Sequence, residues 1–478
     1  MNAADVLYRA RRSHSTVQPP KLDTDQSTVH VQFFQYKTTD YLYDLRECSS
    51  DRLYSDTNFK EKLKNKWHEC KDKGGVINYD LNCMYKLLDG DYNLSIQLNV
   101  ERGTLRRKPM RFQSIVQPFN MHRWNFTKLR PSEVMFYARC TDNHYTNDPL
   151  DTHTICVNAS PIESGHFLFV PSLSKRLPQI MTETGIRMAT DLMLIVEDEN
   201  FHVLYNSLLG QASLNHLHLH GLFWPYESDL IHRRFELLAG DCYVIRRPDW
   251  YIHCFCYQLQ GPDSFDSFVK NVWHTLNFLT VHNVAHNMFF TRAPPLRTQP
   301  PVRFEQPRDA PSLVTVYIFP RQSQAGAKPM NNFNPAALEL AGCLMAYNLK
   351  FFETATEQSC IRTFDEDAAL DDLHFETLAL ELAQRLLGRV PWAAQVPPPS
   401  LRVSSSDEYE LTELEELCDS FHTVSVPVPL KPLKHHRSFN FGQKSSEHSL
   451  LDDLPTQRKR SHTTDAAMEF TIHEGKES

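Results

Sequence analysis

The chain has 478 residues and a mass of 55.5 kDa, with 41% apolar, 11% aromatic and 23% charged residues. Length alone suggests two to three domains, and the composition excludes both wholesale disorder and a disulfide-stapled peptide. Fifty Lys and Arg against 58 Asp and Glu leave a net charge of −8, which offers no basic field for a polyanion, and 11 Cys without a CxxC pair read as reduced thiols.

Residues Met1 to His14 mix Asp5 with Arg9, Arg11 and Arg12 and hold no apolar run, and no apolar stretch nears the roughly 20 residues that span a bilayer. A soluble, cytoplasmic protein is expected, with no membrane or nucleic-acid partner. Residues 1–79 read as an extension, partly ordered, with helical apolar spacing only around Asn58 to Cys70. Residues 80–390 carry the globular pattern. Asp91 to Val100 alternates like a strand ending at a Glu101-Arg102-Gly103 turn, and Thr154 to Asn158 and His166 to Val170 are short β-type runs. Leu177 to Val196 reads as a helix, Val203 to Tyr205 and Leu214 to Phe223 as strands, Asp263 to Asn283 as a helix, and Ser312 to Phe319 as a strand. Strands in pairs with helices inserted make this an α+β pattern. From residue 391 the sequence turns Pro-rich, acidic and then basic, and residues 391–478 are expected to be a mostly disordered tail, with Leu411, Leu414 and Leu417 at helical spacing inside it.

The feature that carries chemistry is Asn215-His216-Leu217-His218-Leu219-His220-Gly221. On a strand, alternate side chains share a face, so the three imidazoles stand in a row while Leu217 and Leu219 enter the core. Two chemistries use such a row. A metal site takes alternate imidazoles with further ligands from elsewhere, and nucleophilic catalysis uses the middle imidazole to attack phosphorus. The Tyr205-Asn206-Ser207 and Gln211-Ala212-Ser213 segments before the run bring small and amide-bearing residues suited to phosphate oxygens, and no carboxylate follows before Glu227, which favours the nucleophile. Cys254 and Cys256 read as buried thiols, His286 as a packed histidine, and Arg106-Arg107-Lys108 as a solvated basic run. Glu163 is a turn residue first and a site candidate second.

The His-φ-His-φ-His string resembles the histidine-triad superfamily, and the segments around it resemble its GDP-hexose phosphorylase branch. These are Arg102-Gly103-Thr104 to Lys108-Pro109, Gln117-Pro118-Phe119, Asn125-Phe126-Thr127-Lys128, Val157 to His166, Leu177-Pro178-Gln179, Tyr205 to Leu208 and Ala285-His286-Asn287-Met288-Phe289. The resemblance implies a HIT-like antiparallel sheet with helices packed mainly to one side, and the length of the core leaves room for two related halves of which only the first keeps the histidines. It implies a nucleotidyltransferase that converts GDP-glucose and inorganic phosphate to GDP and glucose 1-phosphate without a cofactor or metal. His218 would be the nucleophile that carries GMP, His216 would orient the site, and His220 would assist the leaving oxygen. Asn206, Ser213 and Lys128 would contact substrate, and a monomer would suffice. A His at position 220 leaves a GDP-sugar hydrolase open, as well as a phosphorylase of another hexose such as GDP-L-galactose. A nucleotide-binding regulator without turnover is the reading from a different class, and the intact histidines argue against it.

Overall fold

The computed structural model describes residues 32–48, 58–142, 153–298, 310–327 and 331–393, all within the unit Met1–Arg402. The expected tail from residue 394 onward, with its Leu411, Leu414 and Leu417, lies outside the described residues. The strands are β1 Gln32–Tyr36, β2 Met84–Leu87, β3 Ser95–Leu98, β4 Val134–Cys140, β5 His153–Val157, β6 Phe167–Val170 and β7 Phe201–Asn206. They continue with β8 Leu219–Phe223, β9 Glu236–Ala239, β10 Cys242–Ile245, β11 Cys254–Gln258, β12 Ala285–Ala293, β13 Leu313–Arg321 and β14 Cys343–Ala346. The α-helices are α1 Phe59–Asp72, α2 Val100–Leu105, α3 Glu183–Ile195, α4 Phe265–Val281, α5 Ala337–Leu340, α6 Leu349–Thr354, α7 Glu357–Asp367 and α8 Asp372–Leu386.

Eleven strands form one sheet in the order β1-β4-β5-β6-β8-β7-β12-β13-β11-β10-β9. Every pairing is antiparallel except β1 on β4, so the antiparallel sheet expected from sequence gains one parallel edge strand from the first 79 residues. The order contains one unit twice. A three-strand meander β4-β5-β6 leads through α3 to the hairpin β7-β8, whose second strand slots beside β6; β9-β10-β11 leads through α4 to β12-β13 in the same way. The halves join back to back at the β7–β12 seam, with Asn206 opposite Asn287. The second half keeps no histidine row: the face of β13 equivalent to the His face bears Thr315, Tyr317 and Phe319.

The four longest helices, α1, α3, α4 and α8, bury their apolar stripes on one face of the sheet. In α1, Phe59, Leu63, Trp67 and Cys70 recur at helical spacing and are all buried, and Asn58 caps the helix by accepting from Glu61 N at 3.1 Å. The opposite face is covered by the small sheet β14-β3-β2 and the shorter helices α5 to α7. No described helix is long and apolar enough to cross a membrane.

Three expected elements are redrawn. The helix read from Leu177 begins at Glu183, because Pro178 bars its predecessor from helical backbone and Thr182 supplies the cap, accepting from Gly185 N at 3.1 Å. The turn at Glu101-Arg102-Gly103 is instead the short helix α2, capped by Asn99, which accepts from Arg102 N at 3.0 Å. The strand read over Leu214–Phe223 is a strand only from Leu219, and the reason belongs to the site.

Candidate active site

The segment 214–218 bends at 214–216 ahead of β8, and its backbone donors are spent outside the ladder. Leu217 N donates to Leu177 O at 2.8 Å and His218 N to Gln179 Oε1 at 3.0 Å. The Gln179 amide closes the clamp, with Nε2 donating to His218 O at 3.1 Å and to Asn206 O at 2.9 Å. Tyr205 OH holds Gln179 O at 2.9 Å, and Gln179 N holds Asn215 Oδ1 at 2.9 Å. Alternation survives the loss of regular pairing: Leu217 and Leu219 sit in the helix-covered core and the histidines face the other way.

Hydrogen bonds set the proton on each ring. His218 Nδ1 lies 2.7 Å from His216 O, and a carbonyl can only accept, so Nδ1 carries the proton and Nε2 keeps its lone pair. Burial pushes this imidazole down to about 4, so at neutral pH it is uncharged and its Nε2 lone pair is free. Phe126 N donates to His216 Nδ1 at 3.1 Å, which fixes the opposite tautomer there and leaves Nε2 as a buried donor without a partner. Burial, with the neighbouring His218 and Arg176, holds His216 down to about 3. The Phe126 ring lies 5.4 Å from His216 and 5.2 Å from His218, and Phe119 meets His216 edge-on at 4.9 Å, so the row is walled by aromatic carbon.

His220 is half-buried and its ring centre is 5.4 Å from that of His218. Its Nδ1 lies 3.1 Å from His166 Nε2, which is also 3.1 Å from the Asn158 amide. Because Ile162 N donates to His166 Nδ1 at 2.8 Å, closer than the Asn158 Nδ2 donor comes to Nε2, the neutral His166 ring carries its proton on Nε2 and passes a hydrogen bond to His220 Nδ1, with Asn158 Nδ2 a neighbour that does not bond to that nitrogen. Burial, with Arg102 nearby, keeps His166 well below its ordinary value and hence neutral. His220 accepts at Nδ1 and therefore, when neutral, holds its own proton on Nε2.

Gln179 joins His218 to Asn206, His216 and His220 flank His218 in the row, and the remaining expected residues are placed as follows. Ser213 is exposed at the start of the histidine segment, its carbonyl accepting from Met110 N at 3.3 Å. Lys128 stands on the same turn as Phe126, but its Nζ is committed to the carbonyls of His122 at 2.8 Å and Arg123 at 2.9 Å. Arg106 and Arg107 lie over the rings of Tyr347 and Trp124. His286 packs beside Tyr205 with Nδ1 donating to Val284 O at 2.9 Å, and Cys254 and Cys256 are fully buried thiols raised well above their ordinary values by burial. Glu163 is raised by burial, an effect that the neighbouring Tyr85 hydroxyl opposes. Among the described residues, no three His, Cys, Asp or Glu side chains are grouped as metal ligands.

Pattern reading gave no role to Gln179, His166 or Phe126. Each lies 39 to 90 positions from the histidine it contacts, and no local periodicity links such pairs.

Two family models match the chain, "GDPGP1-like, N-terminal domain" at residues 58–222 and "GDPGP1-like, C-terminal domain" at residues 229–387. The chain is 45% identical over 443 residues to GDP-D-glucose phosphorylase 1 of Caenorhabditis elegans, covering 90% of each chain. It is 32% identical over 327 residues to GDP-D-glucose phosphorylase 1 of Danio rerio, covering 68% of this chain and 91% of the relative. Among solved structures it is similar to the yeast Ap4A phosphorylase Apa2 in complex with AMP, at a TM-score of 0.44 and 14% identity over 64% of this chain and 94% of that one.

Proposed function

The chain belongs to the GDPGP1-like family, and from that premise we infer that it is an enzyme that phosphorolyses GDP-D-glucose, giving GDP and glucose 1-phosphate. The observation that carries the mechanism is the hydrogen bond from His218 Nδ1 to His216 O, which fixes the lone pair on Nε2. That nitrogen attacks the guanylyl phosphorus, the bond to the bridging oxygen breaks, and glucose 1-phosphate leaves with that oxygen. His220 Nε2–H donates to the leaving oxygen. An oxygen of inorganic phosphate then attacks the same phosphorus, the N–P bond breaks, and GDP leaves with His218 restored. Throughout, the proton stays on Nδ1, hydrogen-bonded to the His216 carbonyl, so the adduct forms without a proton lost from the ring. Asn206 and Ser213 hold oxygens of the α-phosphate. Lys128 serves the site by bracing the turn that carries Phe126.

The half with the histidine row and the half without it complete one sheet within a single chain, which supports a monomer. The ten described cysteines are free thiols, in keeping with a reducing, cytoplasmic setting. The test is to incubate the protein and a His218→Ala variant with GDP-glucose, with and without phosphate, and to quantify GDP, GMP and glucose 1-phosphate. Phosphate-dependent GDP that vanishes in the variant is expected, with GMP on the intact protein's His218 when phosphate is withheld. Free GMP accumulating at the same rate without phosphate would make the enzyme a hydrolase.

A further inference from the structure

The turn that leads from β7 to the histidine row is held in part by the half of the chain that lacks such a row. Ser207 N donates to His286 O at 3.0 Å, His286 N donates back to Ser207 Oγ at 2.9 Å, and Gln324 N donates to Leu209 O at 2.9 Å. Leu209 and Gln211 sit in left-handed backbone at φ 59° and 79°, conformations that cost free energy in non-glycine residues and persist only when the surroundings enforce them. Gly210 between them is required by crowding, since a Cβ there would lie 2.6 Å from Ser207 Oγ and 3.0 Å from His286 O.

One side chain of the second half reaches further, to Asn206 itself. Asn287, opposite Asn206 across the seam, is fully buried, and its Nδ2 donates both to Asn206 Oδ1 and to Gly210 O at 2.6 Å each. Its own Oδ1 is buried without a partner, an uncommon state for a core amide that costs about 1–3 kcal/mol. The amide is therefore oriented for its two donations at the expense of its acceptor. Asn206 Oδ1 receives a second donor, Ala337 N, at 3.0 Å, also from the second half. With its oxygen fixed from two sides, the Asn206 amide can present only its N–H groups to the histidine side of the turn.

We propose that Asn287 is a positioning residue of this reaction: it locks the Asn206 amide with its donors toward the phosphate transferred to His218, so that the half without the histidine row completes the site. This rests on the reading of Asn206 as a phosphate contact. It also gives a physical reason for the second half beyond burial of the sheet edge.

The test measures the burst of glucose 1-phosphate in a single turnover of GDP-glucose, normalised to folded protein, for four proteins: wild type, Asn287→Asp, Asn206→Asp and the double variant. Asn287→Asp keeps the side chain's size and loses both donations. Asn206→Asp keeps the acceptor for Asn287 and Ala337 and loses the donors to phosphate. Each single variant should slow the burst by about 10- to 100-fold at saturating substrate, the scale expected for a misplaced contact, and the double variant should be no slower than Asn206→Asp. Additive losses in the double variant, or an unchanged burst in Asn287→Asp, overturn the proposal. An unchanged burst in Asn206→Asp overturns the phosphate contact itself. If Asn287→Asp does not fold, Asn287→Ser, which keeps a smaller hydrogen-bonding group, takes its place under the same criteria.

Discussion

Replacing His202 by Leu should stabilise this protein, and more so in acid. His202 lies on β7, 3% exposed, with neither ring nitrogen hydrogen-bonded and its ring 4.9 Å from that of Phe289. Two unsatisfied buried polar atoms cost about 1–3 kcal/mol, and the ring contact returns about 1 kcal/mol, so an aliphatic side chain of similar volume should come out about 1 kcal/mol ahead at pH 8. Protonation adds to this. Burial pushes the folded-state imidazole down to about 3, while an unfolded histidine titrates near 6.5. Above pH 6.5 neither state binds the proton and the contribution is zero. As pH falls from 6.5 toward 3, only the unfolded state takes it up, so the folded protein loses stability, about 1 kcal/mol by pH 5.5. Urea unfolding followed by the fluorescence of Trp67, Trp224 and Trp250, all at most 1% exposed, reads both effects in wild type and His202→Leu at pH 8 and 5.5. The advantage of the variant should grow by about 1 kcal/mol between the two pH values. A variant less stable than wild type at pH 8, or an advantage equal at both pH values, would refute the reasoning.

Three further outcomes follow from the same geometry. Gly221→Ala places a Cβ 2.2 Å from Phe167 Cζ under the histidine strand, and should cost about 1–3 kcal/mol by urea unfolding while also lowering activity through its neighbour His220. Arg292→Met strips a buried guanidinium from the carbonyls of Leu42 at 2.8 Å, Met193 at 2.6 Å, and Tyr43 and Ser312 at 3.2 Å each; it should cost about 3 kcal/mol and expose residues 42–43 to limited proteolysis, whereas an uncut segment would show that β1 alone secures it. His166→Ala removes the donor to His220 Nδ1, so release of glucose 1-phosphate should slow while His218 still becomes guanylylated on long incubation; an unchanged burst would mean that His220 sets its own tautomer.

The local pattern was legible where one element satisfied itself. The helix expected over Asp263–Asn283 is α4 Phe265–Val281, and the strand expected over Ser312–Phe319 is β13 Leu313–Arg321, because both carry a full apolar period and bury it on the nearest face. Expectation failed at Leu177 and at Leu214–His218, and both failures have one cause. These two segments give their backbone groups to each other and to Gln179 rather than to a helix or a ladder, and a pattern read along the chain cannot see a partner about 40 positions away.

By itself the sequence determined the histidine row, its alternation with Leu217 and Leu219, and the α+β class, since side-chain order along a chain decides which residues share a face. Only the tertiary structure decided which nitrogen of His218 is free, what holds His220 in the complementary tautomer, and that the second half reaches Asn206 across the β7–β12 seam. Each of these depends on a hydrogen-bond donor or acceptor supplied by a particular neighbour's backbone or amide, and such neighbours are chosen by packing in three dimensions rather than by spacing in one.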